Sequence, residues 1–192
     1  VLISNPFLNE KKSDYLLFVG RLDKEKGVLT LLKAFEKILE RFPDEKLKIA
    51  GSGSCQKELE EYVYQNKIEN VTFEGNKNRE ELMELYASAK FTIVPSEFLE
   101  SYGNVILESF AFRKTVIISD LLGIKKEVSN SKSGLIFTFG NVTELTHSIE
   151  KLLKDNDLRK ELEQNAADYV TTLSFENHFE KLVSIYKKVL KK

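Results

Sequence analysis

The amino-acid sequence predicts an α/β fold: a parallel sheet of six strands with helices on both faces. Six short apolar segments alternate with helical segments, and such alternation builds a parallel sheet with right-handed crossovers. Several of the apolar segments are continuous, as expected for strands that are covered on both faces. A chain of 192 residues with 42% hydrophobic and 31% charged residues is ordinary for one globular domain with a substantial core.

The first strand and helix set the pattern. Residues 1–14 resemble an entry segment with a turn at Asn5-Pro6, and a continuous apolar run over 15–20 predicts the first strand. A charged loop at 21–27 precedes a helix whose apolar residues recur at helical spacing from Val28, until Pro43 ends it.

The same unit then repeats. Gly51 and Gly75 end the second and third strands, and Asn78 stands three residues before Glu81, as in a capping box. Tyr86 falls on the apolar side of the helix that follows Asn78. We expect strands at 47–51, 70–75, 91–94, 115–119 and 134–137, with other helices at about 55–66, 103–112 and 124–129.

Three helices are expected to finish the chain, at about 141–154, 157–170 and 175–190, with Asn141 and Ser174 as N-caps. The last one would carry an apolar stripe through Tyr186. Residues 1–192 are therefore expected to form a single domain with the strand order 3-2-1-4-5-6.

Composition excludes several classes of function. A net charge of −1 gives no electrostatic reason to expect nucleic acid or an anionic membrane as partner. The single cysteine, Cys55, excludes an internal disulfide and a cysteine metal cluster. His147 and His178 fall on predicted helices, where packing or surface roles are expected. The sequence contains no signal peptide and no membrane-spanning run. The chain begins with Val1, which suggests an excised part of a longer protein.

The stretch from Pro95 to Ala111 carries the strongest functional signal. It leads from a strand through a polar loop that contains Glu100 into a helix that begins near Gly103 and contains Glu108. Open α/β sheets bind ligands at such a junction. The free N–H groups at the helix start favour an anion, and a glycine there permits close approach of a phosphate.

The spacing of the two glutamates suggests the kind of ligand. Glu108 would lie roughly 6–7 Å along the axis from the helix start, about the offset between a diphosphate and the ribose of one nucleotide. A carboxylate would repel the phosphates but accepts hydrogen bonds from sugar hydroxyls. The pattern therefore indicates a nucleotide-sugar, although the pair taken alone also fits two ordinary surface glutamates.

Other loops at the same predicted sheet edge add cations and glycines. Gly20 and Arg21 end the first strand and Lys26 follows five residues later; arginine offers a planar fork to phosphate oxygens and lysine a point charge. Taken alone, these two cations would be solvated loop charges. With Glu100 and Glu108 at the same edge, a ligand-binding role is the better interpretation.

Two glycine turns lie at the ends of the next strands. Gly51 and Gly53 resemble the opening of a dinucleotide-binding fingerprint, but Gln56 stands where the third glycine belongs, so they predict close backbone packing near a ligand more strongly than a dinucleotide site. Gly75 and Asn76 could touch a base through backbone groups or could form a simple turn.

Together, the segments 20–27, 49–53 and 71–75 and the pair Glu100 and Glu108 resemble the C-terminal, donor-binding lobe of GT-B glycosyltransferases, most closely glycosyltransferase family 4, also called glycosyl transferases group 1. The resemblance spans about 15–140, and Leu173 to Glu176 fits the ending of the family. It implies a Rossmann-like domain of a two-lobed retaining enzyme that uses no cofactor and no catalytic metal.

The resemblance also implies a reaction. A hexosyl group would pass from a UDP- or GDP-sugar to an acceptor hydroxyl of a glycan or lipid-linked saccharide, as in mannosyltransferase-like enzymes of polysaccharide biosynthesis. The acceptor would be held by an N-terminal lobe that is absent from this chain, so the chain alone is not expected to transfer sugar. A cytoplasmic location is implied, and peripheral association of the full-length protein with the inner membrane face is left open.

Roles for individual residues follow from the same resemblance. Arg21 and Lys26 would hold the diphosphate and stabilise the leaving nucleoside diphosphate electrostatically, Glu100 would contact the donor sugar, and Glu108 would hold the ribose hydroxyls. The backbone N–H groups that would face the distal phosphate belong to Gly103, Asn104 and Val105.

The sequence departs from the family pattern after the helix. Phe112, Arg113 and Thr115 replace a small residue, a glycine and a proline, and the segment 121–127 lacks the usual Gly-Gly and Pro. These changes are expected to alter the helix exit and the contacts on the acceptor side, while the donor residues stay intact.

Two alternatives to the donor-binding lobe of a glycosyltransferase remain at this stage. The first is a non-catalytic nucleotide-sugar binding module or subunit. The second is a dehydrogenase-like dinucleotide domain, which the missing third glycine and the lack of an acidic residue at the end of the second strand disfavour.

Overall fold

A computed structural model describes residues 14–100 and 103–173. Within them, six parallel strands form one sheet in the order β3-β2-β1-β4-β5-β6, which confirms the predicted fold class and strand order. The strands are β1 (Tyr15–Val19), β2 (Leu47–Ala50), β3 (Val71–Gly75), β4 (Ala89–Val94), β5 (Val116–Ser119) and β6 (Gly134–Phe137).

The helices between the strands also follow the prediction, with ends that differ by one to a few residues. A short 3₁₀ turn, Lys24–Lys26, lies within the predicted charged loop, and the first helix ends at Leu39. The helices are α1 (Val28–Leu39), α2 (Gln56–Gln65), α3 (Arg79–Ser88), α4 (Asn104–Ala111), α5 (Lys125–Ser131), α6 (Val142–Lys154) and α7 (Asn156–Thr171).

Both faces of the sheet are covered, as the continuous apolar strands predict. Leu16 and Phe18 of β1 face a core that includes residues of α1, α2 and α6, whereas Tyr15 and Leu17 face a second core that includes residues of α3. Side chains alternate between the two faces along a strand, so every position of β1 from Tyr15 to Phe18 is buried.

Helix capping confirms two sequence-based expectations. Asn78 and Glu81 form a reciprocal capping box at the start of α3, and the side chain of Asn141 accepts a hydrogen bond from the Glu144 N–H at the start of α6. Each cap satisfies backbone groups that the first helical turn leaves unpaired.

The region of departure after α4 has a physical explanation. Helix α4 ends at Ala111, and Arg113 adopts a left-handed conformation with φ of 57° at the position where the resemblance implies glycine. Its side chain donates to Gln164 of α7. Phe112 and Thr115 are both buried, and the hydroxyl of Thr115 donates to the Ser133 carbonyl.

Some predictions fall outside the described residues. They concern most of the entry segment 1–14, the N-cap Ser174, the final helix at 175–190 with its stripe through Tyr186, and His178.

Candidate functional site

The carboxyl ends of the strands bring the predicted site residues to one edge of the sheet. Gly20 follows β1, Gly51 follows β2, Gly75 ends β3, and the loop that contains Glu100 follows β4. Because the strands are parallel, all these ends lie at the same edge, which is where open α/β sheets bind ligands.

The glycines after β1 and β2 permit close backbone packing. A Cβ atom on Gly51 would overlap the Gly20 carbonyl oxygen, and one on Gly53 would lie 2.5 Å from the Leu22 carbonyl carbon. Gly51 N–H also donates to the Gly75 carbonyl at 2.8 Å. The packing interpretation of these two glycines is therefore the one that the structure supports.

Asn76 lies in the turn after β3. Its side-chain oxygen accepts a hydrogen bond of 2.8 Å from the Ser52 hydroxyl, which links this turn to the loop after β2. A Cβ atom on Gly75, which adopts φ of 67°, would meet nothing within 4 Å, so the turn borders open space.

A network of contacts joins the loop after β4 to the loop after β1. The Glu97 N–H donates to the Glu25 carbonyl at 2.8 Å, and the buried Thr30 hydroxyl donates to the Glu97 carboxylate. Gly27, with φ of 66°, lies so close to the Pro95 carbonyl that a Cβ atom would overlap it. The two loops therefore hold each other in one arrangement.

Lys26 and Glu100 lie within this network and contact each other directly. Lys26 Nζ is 2.8 Å from Glu100 Oε1, with side chains that are 20% and 22% exposed. The buried Ser96 hydroxyl donates to the same carboxylate oxygen, and the Gly123 N–H donates to the Glu100 carbonyl at 2.8 Å. Two residues predicted to bind one ligand, 74 positions apart, are thus neighbours at the sheet edge.

Arg21 belongs to the same loop but is arranged differently. Its guanidinium pairs with Asp23 and Glu25, both at 2.7 Å, and its side chain is 66% exposed. Hydrogen bonds from the Ser54 backbone N–H and hydroxyl, aided by the Arg21 charge, lower the pKa of Asp23 below its usual value. Arg21 therefore lies over an ionised carboxylate, and a phosphate would have to compete with that carboxylate for it.

The start of α4 provides N–H groups at the predicted place. Gly103 is the N-cap with φ of 63° and ψ of 80°, and the first intrahelical bond runs from Ile106 N–H to the Gly103 carbonyl. The N–H groups of the first residues of a helix have no acceptor within it. Asn104 and Val105 therefore present N–H groups at the helix start, beside the loop of Glu100.

Glu108 lies one turn further along α4 and contacts a residue of α3. The buried Tyr86 hydroxyl of α3 donates to Glu108 Oε2 at 2.7 Å. Burial, reinforced by the Glu108 charge, raises the pKa of Tyr86 above its usual value. The apolar spacing of α3 predicted that Tyr86 is buried, but it carried no signal for the partner of its hydroxyl.

No metal site is formed within residues 14–100 and 103–173, where no group of three or more His, Cys, Asp and Glu side chains could hold an ion. The segment 155–157 has Asp-x-Asp spacing, but it begins α7 at the end of α6, on the opposite side of the sheet from the carboxyl edge. There the Asp155 carboxylate accepts the Leu158 N–H as an N-cap. His147 lies on α6, beside Arg41 and Glu150.

Among the helices of the described part of the chain, none combines the length and apolar character that a bilayer span requires.

Comparisons with known proteins identify the family of the chain. The family model described as glycosyl transferases group 1 matches residues 3–169. An uncharacterized glycosyltransferase of Methanocaldococcus jannaschii is 34% identical over 174 residues, which are 90% of this chain and 44% of that protein. The chain spans about half the length of the curated relatives it matches.

Two solved structures show the same fold. The C-terminal domain of a glycosyl transferase group 1 family protein from Francisella tularensis has a TM-score of 0.74 at 23% identity, with 84% of this chain and 87% of that chain covered. The Anabaena protein HepE, solved in complex with UDP and glucose, has a TM-score of 0.78 at 20% identity, with 92% and 48% covered. By family model, sequence and fold, this chain belongs to the glycosyl transferases group 1 family and corresponds to the C-terminal domain of its GT-B members.

Proposed function

We propose that the chain is the donor-binding lobe of a retaining glycosyltransferase that transfers a hexosyl group from a UDP- or GDP-sugar to an acceptor hydroxyl of a glycan or lipid-linked saccharide. The observation that carries the proposal is the partly buried contact between Lys26 and Glu100 at the carboxyl edge of the sheet, where Glu100 stands four residues before the start of α4. The cation and the N–H groups at the helix start can bind a diphosphate, and the carboxylate can accept hydrogen bonds from sugar hydroxyls.

Each part of a nucleotide-sugar has a matching group at this edge. Lys26 and the N–H groups at the start of α4 suit the diphosphate, because both attract an anion and stabilise the charge that develops on the leaving nucleoside diphosphate. Glu108 suits the ribose hydroxyls as an acceptor. The UDP and glucose bound by the structural neighbour HepE support the ligand class.

The proposed binding requires no metal ion. Lys26, Arg21 and the helix start provide the positive charge that Mg²⁺ would otherwise supply to a diphosphate. We expect the affinity for the nucleoside diphosphate to be unchanged in EDTA, and a large loss of affinity there would overturn this part of the proposal.

Substitutions of Glu100 and Glu108 are expected to differ in how they change the affinity for the nucleotide-sugar and for the free nucleoside diphosphate. Glu100→Ala should weaken binding of the nucleotide-sugar by about 10- to 150-fold, which corresponds to the roughly 1.5–3 kcal/mol of a hydrogen bond to a charged group. It should not weaken the free nucleoside diphosphate, because the change releases Lys26 from a competing carboxylate. Glu108→Ala should weaken both ligands, since the ribose is common to them.

Calorimetric titration of the two variants with both ligands is the measurement, and Glu58→Ala on the exposed side of α2 is the control. Equal losses for Glu100→Ala with both ligands would mean that the sugar is placed wrongly.

We also propose that residues 1–192 bind the donor without transferring its sugar. The chain matches only about half the length of these relatives, which supports this proposal. The access of water to an open sheet edge supports it as well. Water at the open edge would surround the diphosphate and screen the charge that develops on it, and an unpositioned acceptor loses most of the orientation effect. A transfer assay with and without the other half of the protein tests this, and robust turnover by the chain alone would refute it.

A further inference from the structure

The contact between Tyr86 and Glu108 joins a buried aromatic residue to the end of the candidate site. Tyr86 is 2% exposed, and its hydroxyl donates to Glu108 Oε2 at 2.7 Å. The Tyr86 ring stacks on Phe112, with ring centroids 5.7 Å apart and planes 19° from parallel. Because the ring is packed on this neighbour within a buried cluster, the position of the hydroxyl is fixed by the core.

We propose that Tyr86 is a positioning residue for ribose recognition: its hydroxyl holds one carboxylate oxygen of Glu108 so that the other faces the ribose hydroxyls of the bound nucleotide. The inference rests on the ribose role proposed above for Glu108. It adds that the preference of the site for a ribonucleotide depends on a residue of a different helix, α3.

The reason lies in the freedom of a glutamate side chain. Glu108 is partly exposed on α4, and a glutamate has three side-chain torsions, so without a partner it would sample several rotamers. A hydrogen-bond donor whose position is fixed by the core selects one of these rotamers before the ligand binds. Binding then no longer has to order the glutamate side chain. Among the residues that the structure describes, the Tyr86 hydroxyl is the hydrogen-bond donor in contact with this carboxylate, and its bond is to Oε2. Oε1 remains available to accept from the ligand.

The protonation of Tyr86 fits this role. Burial, followed by the nearby Glu108 charge, raises the pKa of the Tyr86 hydroxyl above its usual value. The hydroxyl therefore stays protonated at neutral pH and donates a hydrogen bond to the carboxylate.

A purely structural role for the hydroxyl makes a different prediction, and the chain contains a matched control. Tyr15 lies in the same buried cluster, and its hydroxyl donates to the Leu85 carbonyl at 3.0 Å. Tyr15→Phe thus removes a buried tyrosine hydroxyl next to Tyr86 without touching Glu108. Tyr86→Phe removes only the hydroxyl and keeps the ring that stacks on Phe112.

The test is a calorimetric titration with UDP or GDP, whichever the chain binds more tightly, and with its 2′,3′-dideoxy analogue. The unchanged protein should prefer the ribonucleotide. Tyr86→Phe should lower this preference by about tenfold, a factor that corresponds to about 1.4 kcal/mol, through weaker binding of the ribonucleotide and with unchanged binding of the analogue. Tyr15→Phe should keep the full preference.

The variant Glu108→Ala separates failure of this inference from failure of the function on which it rests. In the double variant Tyr86→Phe/Glu108→Ala the preference should fall no further than in Glu108→Ala alone, because the two residues act as one unit. Suppose that Glu108→Ala removes the preference. The positioning role is then wrong if Tyr86→Phe leaves the preference intact, and also if Tyr86→Phe weakens the binding of both ligands equally. If Glu108→Ala also leaves the preference intact, the ribose assignment itself is wrong, and the inference falls with it.

Discussion

Lys26→Met is expected to remove most of the affinity of the chain for a nucleoside diphosphate. The loss should be roughly 2–4 kcal/mol, typical when one partner of a desolvated charge pair is removed, which corresponds to about 30- to 700-fold in the dissociation constant. Lys26 is only 20% exposed and Nζ lies 2.8 Å from Glu100 Oε1, so its removal takes away a cation and leaves the Glu100 carboxylate without its ion-pair partner where the diphosphate is proposed to bind.

The matched control is Lys24→Met, which removes the same charge from the same 3₁₀ turn at an exposed position. It should change the affinity by much less than Lys26→Met, because water and salt screen an exposed charge. Arg21→Met should also lower the affinity by less than Lys26→Met does, since the Arg21 side chain is 66% exposed and already paired with two carboxylates. Equal affinities of Lys26→Met and the unchanged protein, measured by calorimetry, would remove Lys26 from the site.

Gly27→Ala is expected to be the most disruptive single change in the loop after β1. Gly27 has φ of 66°, where a residue other than glycine costs about 1–2 kcal/mol. A Cβ atom would in addition overlap the Pro95 carbonyl oxygen and lie 3.2 Å from Glu97 Cγ. Because a backbone atom cannot yield as a flexible side chain can, we expect a total loss of at least about 3 kcal/mol in the free energy of unfolding.

The same substitution should also disturb binding, because it pushes apart the two loops that carry Lys26 and Glu100. Gly140→Ala provides the control, since Gly140 has nearly the same φ, 69°, but an added Cβ atom would meet nothing within 4 Å. Chemical denaturation of both variants separates the cost of the left-handed backbone conformation from the cost of the overlap with Pro95. Similar losses in both would show that the close approach to Pro95 contributes nothing.

Much of the fold could be predicted because its signals are local. The continuous apolar run of β1, the capping box of Asn78 and the cap of Asn141 are each set by neighbouring residues. The strand order followed from the alternation of strands and helices together with the family resemblance. Element ends shifted by one to a few residues because helix ends depend on cap geometry, which a pattern of apolar residues does not specify.

The site was predictable only in part, for a physical reason. The loops that carry Lys26 and Glu100, and the start of the helix that carries Glu108, could be assigned to one sheet edge, since parallel strands end together. The partners of these side chains could not, because Lys26 and Glu100 are 74 positions apart and Tyr86 and Glu108 are 22 apart. Arg21 and Glu25 are only four positions apart, but their pairing was not predicted either.

The most direct test of the proposed function is a crystal structure of the chain with the preferred nucleoside diphosphate. It should show phosphate oxygens within hydrogen-bond distance of Lys26 Nζ and of the N–H groups at the start of α4, with the ribose against Glu108. A nucleotide bound elsewhere would contradict the account, for example in the cavity of about 490 Å³ that is lined in part by Tyr15, Lys48 and Glu74.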